Sequence, residues 1–164
     1  MKKNAFFKPV LAIMLITALI SCKKDEYTIE NKAVTGTITY TGTGAVPVEV
    51  DPVTQQPLKM RFSFDGIGTI SDLGELTLET TFIFDFVAGR GYDFVSTYTG
   101  TSASDYFTAT GTSVMTGDMV FTITETITEG KGKFAKIKGG GDIHVELTPD
   151  GSTGTGDYTW TVTY

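Results

Sequence analysis

One cysteine, one histidine and one tryptophan occur in the 164 residues of this chain, so most familiar site chemistry is missing. Cys22 stands alone, and no disulfide framework can form within the chain. His144 stands alone too, so no second imidazole or thiol completes a nucleophile–base pair. Arg61 and Arg90 are the only arginines. No apolar run approaches the roughly 20 residues that a bilayer core requires. The longest, Val10 to Ile20, is 11 residues, with Pro9 at its start, which disfavours a transmembrane helix. No stretch has the pattern of a long amphipathic helix.

What is present begins with an address. Lys2, Lys3 and Lys8 precede the apolar run, and small residues follow it in Thr17-Ala-Leu-Ile-Ser-Cys22. A basic start, a short apolar run and small residues at the cut read as a secretory signal peptide. A cut before cysteine resembles the lipobox of bacterial lipoproteins. That resemblance implies a Cys22 thiol carrying diacylglycerol and a new N-terminus open to acylation, palmitate included. The competing reading is an ordinary thiol, which would leave a secreted protein with an oxidation liability. The expected organisation is a signal peptide at 1–21, a lipidated cysteine with a polar tether at 22–32, and a domain at 33–164. Lys23-Lys-Asp-Glu26 resembles the acidic export signals of surface lipoproteins in some Gram-negative lineages, although any solvated tether is polar. The lack of Asp directly after Cys22 resembles sorting to the outer membrane. The expected location is therefore the envelope of a Gram-negative bacterium, at the outer membrane, with the cell surface as one placement.

Charge narrows the partners. The cut removes three of the 13 basic residues and none of the 19 acidic ones, leaving a net charge of −9. Such a surface argues against nucleic acid, whose phosphates are held by Lys and Arg. It argues equally against docking on anionic lipid, so acyl chains at Cys22 would have to supply the membrane affinity.

The mature 143 residues fit one domain and are rich in Thr, Gly, Phe and Tyr, a composition that favours strands and turns. Period-two alternation recurs along it. Val34, Gly36, Ile38 and Tyr40 oppose a row of threonines. Pro47, Pro52 and Pro57 predict a loop or bulged edge over 42–57. Leu58, Met60, Phe62 and Phe64 follow. A long strand then runs from Leu76 to Val87, with Thr80, Phe82, Phe84 and Phe86 on one row and a bend near Thr80-Thr81. Strands at 92–98 and 105–112 come next. Phe121, Ile123, Glu125 and Ile127 share a further row, as do Ile143, Val145 and Leu147. Tyr158, Trp160, Val162 and Tyr164 close the chain. About eight strands with short turns predict an all-β barrel or sandwich. An eight-stranded interior is either filled by side chains or holds one small ligand, and the pattern alone leaves both open.

Two glycine-marked segments carry a resemblance. Gly130-Lys-Gly-Lys-Phe-Ala-Lys-Ile-Lys-Gly139, preceded by Thr116-Gly-Asp-Met-Val-Phe121, resembles the Gly-x-Gly-Arg/Lys-Phe segment of the allene oxide cyclase and dirigent barrels. Gly66-Ile-Gly-Thr-Ile-Ser-Asp-Leu-Gly74 is similar to a second stretch of their bacterial relatives, with Asp72 where histidine is common. The resemblance implies a single antiparallel eight-stranded barrel, calycin-like in shape and often oligomeric in the plant members, so a homo-oligomer is one implied partner. It transfers no catalytic residue. Physically, Gly130, Gly132 and Gly139 to Gly141 allow positive φ or close approach at a barrel rim, with Phe134 and Ile137 plugging one end. The segment lacks the ending of a phosphate-binding loop.

Few candidate site residues follow. His144 is expected on a solvated face beside Asp142 and Glu146, short of the nitrogen or sulfur ligands a transition metal prefers. Glu79 and Asp85 are expected as exterior charges that discourage edge pairing. Glu125 lies on an apolar row. It is either buried, needing a partner or a raised pKa, or near a strand end in water, the plainer expectation. Phe62, Phe82, Phe84, Trp160 and Glu125 are the candidate lumen contacts for a hydrophobic small molecule, with core filling as the alternative for the aromatics. Nothing calls for a cofactor. The first expectation is a non-catalytic barrel binding a hydrophobic molecule or an envelope partner. A cyclase- or dirigent-like enzyme and a filled structural barrel are the alternatives.

Overall fold

The computed structural model describes residues 30–164, so the expected signal peptide, Cys22 and the expected tether up to residue 29 lie outside the described residues. Eight strands follow in order: β1 (Lys32–Val50), β2 (Pro57–Ile70), β3 (Gly74–Asp85), β4 (Arg90–Thr99), β5 (Tyr106–Gly117), β6 (Val120–Gly130), β7 (Lys138–Leu147) and β8 (Thr153–Thr163). Each pairs antiparallel with the next, and β8 pairs back onto β1 to close a barrel. The alternation seen in the sequence becomes inside and outside. Along β8, Tyr158, Trp160 and Val162 are buried while Asp157, Thr159 and Thr161 face solvent. Threonines coat the exterior because their branched side chains suit a pleated surface and their hydroxyls suit water.

The barrel has unlike ends. At the base lie the start of β1, the end of β8, the 71–73 and 100–105 turns and the 131–137 segment. Leu73, Phe134, Ile137 and Val162 are buried there. Phe107 meets Phe134 edge-on at 5.2 Å and stacks on Tyr98 at 4.8 Å. Trp160 packs edge-on against Tyr98 and Tyr158. The glycine-rich segment seals this end, with Phe134 and Ile137 as its plug. At the mouth are the 51–56, 86–89, 118–119 and 148–152 turns.

Local expectations sharpen or change at four places. Of the loop or bulged edge expected over 42–57, residues 42–50 are a bulged edge, an exposed continuation of β1 that pairs with β2 alone and shifts register at Gly42/Gly44 and Pro47/Glu49, and residues 51–56 form a turn. β5 runs on to Gly117, past Thr112. Asp85 guards no edge, since β3 is paired on both sides; its carboxylate accepts the N–H groups of Val87 at 3.0 Å and Ala88 at 2.9 Å and closes the turn. The expected bend of β3 is a register shift between Thr81 and Ile83.

Closure demands close approach where β1 coils against β2. A Cβ on Gly68 would lie 2.0 Å from the Thr37 carbonyl oxygen, and one on Gly36 2.2 Å from that of Thr69. Both obstacles are backbone, so neither can swing aside. Gly68→Ala is expected to cost about 1–3 kcal/mol, as overpacking does. Gly44→Ala, whose nearest neighbour is 3.9 Å away, should stay within about 0.5 kcal/mol. Urea midpoints of the two variants check this, and equal midpoints would refute the close-packing account.

Candidate functional site

Between the sealed base and the mouth the barrel is hollow. A cavity of about 240 Å³ is walled by Phe62, Phe64, Phe82, Phe84, Phe94 and Phe121. These rings alternate inward from β2, β3, β4 and β6, and Phe82 stacks on Phe94 at 4.4 Å. Met115, Met119, Asp150 and Gly151 border the mouth, and among the described residues no Lys, Arg or His lines the space.

Its floor is polar. Glu125 of β6 is 3% exposed. Ser96 Oγ donates to one carboxylate oxygen at 2.5 Å, and Tyr98 Oη donates to the other at 2.6 Å. Thr80 Oγ1 lies 2.8 Å from Ser96 Oγ. Tyr158 Oη is 3.3 Å from Tyr98 Oη and 2.5 Å from Tyr40 Oη. The result is an unbranched chain, Thr80–Ser96–Glu125–Tyr98–Tyr158–Tyr40, drawn from β3, β4, β6, β8 and β1.

Burial governs the chemistry of this chain. Desolvation pushes the Glu125 carboxyl above its ordinary range, and the hydroxyls of Ser96 and Tyr98 partly offset it. Desolvation also pushes the phenols of Tyr98, Tyr158 and Tyr40 up, so all three keep their protons. The ionised network is fully satisfied. Five hydroxyl protons serve five hydrogen bonds, each pointing toward the carboxylate. Adding a sixth proton to Glu125 leaves one hydroxyl proton at an end of the chain without an acceptor within it.

The predicted residues fall unevenly. Glu125 and Phe62, Phe82 and Phe84 meet around the cavity. Glu125 is not at a wet strand end, because β6 continues to Gly130 and its side chain is buried. Trp160 is not in the cavity wall. It is 1% exposed in the packed lower half, and its Nε1 is a buried donor with no partner. His144 is exposed, its Nε2 3.3 Å from Glu146, and Glu79 faces solvent. Among the described residues no group of three potential metal ligands converges.

Sequence reasoning passed over Ser96, Tyr98, Thr80 and Tyr40 as a set. Their inward phase was visible in the Phe94-x-Ser96-x-Tyr98 and Leu78-x-Thr80-x-Phe82 alternation. The pairing of Ser96 with Glu125, across β5, is a matter of barrel register. Compared with known proteins, the chain matches no family model, no curated protein and no solved structure.

Proposed function

We propose that this chain is a bacterial lipoprotein, held to the outer membrane through acyl chains on Cys22, whose barrel binds a small hydrophobic molecule without transforming it. The observation that carries the binding half is the phenylalanine-walled cavity above a sealed base. An interior that served only to stabilise the fold would fill that volume, since each void forfeits contacts. The 240 Å³ volume exceeds the roughly 150 Å³ of an apolar cavity that holds benzene, and lies near the small end of ligand sites. The signal peptide and the Ser21-Cys22 junction support the anchoring half.

A cyclase- or dirigent-like enzyme is the second reading, favoured by the buried carboxylic acid on the floor of the apolar chamber. Binding is preferred because both Glu125 oxygens are already engaged by Ser96 and Tyr98. Besides Glu125 the polar groups of the floor are hydroxyls, and those of Thr80, Ser96, Tyr98 and Tyr40 are already bound into its chain.

Native mass spectrometry of the full chain, released gently from its own envelope, tests both halves. The wild type should carry a diacylglyceryl mass and a second, non-covalent mass lost on denaturation. Cys22→Ser should lose the lipid and the membrane fraction but keep the non-covalent mass. The same spectra count the protomers of any homo-oligomer. An unlipidated wild type would overturn the anchoring half. A bare mass, with no uptake of an apolar fluorescent probe, would overturn the binding half.

A further inference from the structure

We propose that the occupant of the cavity is a hydrophobic amine, an apolar body with one ammonium group whose charge is met by Glu125. The inference rests on the binding reading above and names its ligand class.

The floor holds an acid and no base. From β1, Tyr40 faces the space; from β3, Thr80; from β4, Ser96 and Tyr98; from β5, Ser113; from β6, Glu125; from β7, Ile143 and Val145. Asp150 stands at the mouth. A buried carboxylate either takes up a proton or finds a cation, and among the described residues no Lys, Arg or His lines this cavity. The cavity has room for one to arrive.

The hydrogen-bond inventory points the same way. With Glu125 ionised, the protons of Thr80, Ser96, Tyr98, Tyr158 and Tyr40 are all committed to the chain that ends on the carboxylate. What those groups present to the lumen is lone pairs. Ser113 accepts the Gly91 N–H at 3.1 Å, leaving one hydroxyl proton against one carboxylate. A ligand carboxylate or phosphate would find a like charge and almost no donors. An ammonium brings its own donors, and the carboxylate oxygens retain unused lone pairs.

Walls and approach agree with the floor. Aromatic rings within about 6 Å attract a cation through their quadrupoles, more strongly when water is excluded. Asp150 is held down at about 2 by hydrogen bonds from Thr148 and Ser152 and stays charged at the mouth. The acidic chain, at a net −6, would steer cations toward it.

Calorimetric titration of the full chain with three probes of one skeleton tests this: phenethylamine, phenethyl alcohol and hydrocinnamate. The amine should bind at least about tenfold tighter than the alcohol, and hydrocinnamate should not register. Amine binding should strengthen as pH rises through the titration of Glu125, while Tyr40, Tyr98 and Tyr158 stay protonated. In Glu125→Gln the amine-to-alcohol preference should fall to about one, and a cooperative urea transition shows that the variant is folded. If the alcohol matches the amine in wild type, or the variant keeps the preference, the amine class is wrong and the binding reading survives. If none of the three binds and none displaces an apolar fluorescent probe, the binding reading falls and the amine with it.

Discussion

Trp160→Ala is expected to lower the unfolding free energy by about 3–5 kcal/mol, enough to remove a large share of a small domain's stability. The side chain is 1% exposed and wedged between Tyr98, Phe107 and Tyr158. Those neighbours belong to β4, β5 and β8, whose pairing holds them in place, so the void cannot collapse easily. Trp160→Phe should cost much less than its lost area suggests. The indole Nε1 is buried without a partner, a burden of about 1–3 kcal/mol that phenylalanine does not carry. Urea unfolding of both variants measures the pair. An alanine variant within about 1 kcal/mol of wild type would mean that the base is not the packed half.

The second large effect is on pH dependence. Glu125 has its folded-state pKa raised by burial. The folded state therefore holds the Glu125 proton more tightly than the unfolded chain does. The stability this contributes is fully present below the unfolded glutamate value near ~4.3, and is lost as pH rises through the raised folded value. Glu125→Gln keeps a neutral group on the floor and should abolish that decline. The variant's stability relative to wild type should rise with pH, by about 1.4 kcal/mol for each pH unit of upward displacement. Urea midpoints of both proteins between about pH 4 and pH 9 read the difference directly. Parallel curves across that range would show that Glu125 is not buried. Asp150 acts in the opposite sense, because its depressed value, about 2, withdraws stability only as pH falls below the carboxylate range. The two effects separate on the pH axis.

Much of this fold could be read from alternation. Val34 to Tyr40, Leu76 to Phe86 and Tyr158 to Val162 each declare an inner row, and an unbroken series of such rows leads to a closed sheet. The plug was legible too, since Phe134 and Ile137 are the only large apolar residues of an otherwise Gly- and Lys-rich segment. Which half of the barrel fills was not. Trp160 and Phe82 look alike in sequence, as inward aromatics between outward residues. They differ because the 131–137 segment folds beneath one end, and the opposite end has only turns. The site was legible in direction and not in partnership. Glu125 announced itself by standing in the Phe121–Ile127 row. Ser96, 29 positions away, reaches it through two strand registers. Residue spacing carries no record of such a contact.

The unlike ends bear on where a ligand would come from. The described domain begins at Lys32, at the sealed base. With Cys22 in a bilayer, nine residues would link the lipid to that base, reaching about 30–35 Å when fully drawn out. The 11 residues of β8, tilted as in small barrels, give a height of roughly 25–28 Å. Turning the mouth down to the same bilayer would stretch the tether almost straight along the barrel's flank and surrender most of its conformational entropy. Under the proposed Cys22 anchor, the relaxed arrangement would be an upright cup, standing on its base and open to the aqueous compartment. Such a cup would draw its contents from the water in front of it rather than from the lipid beneath.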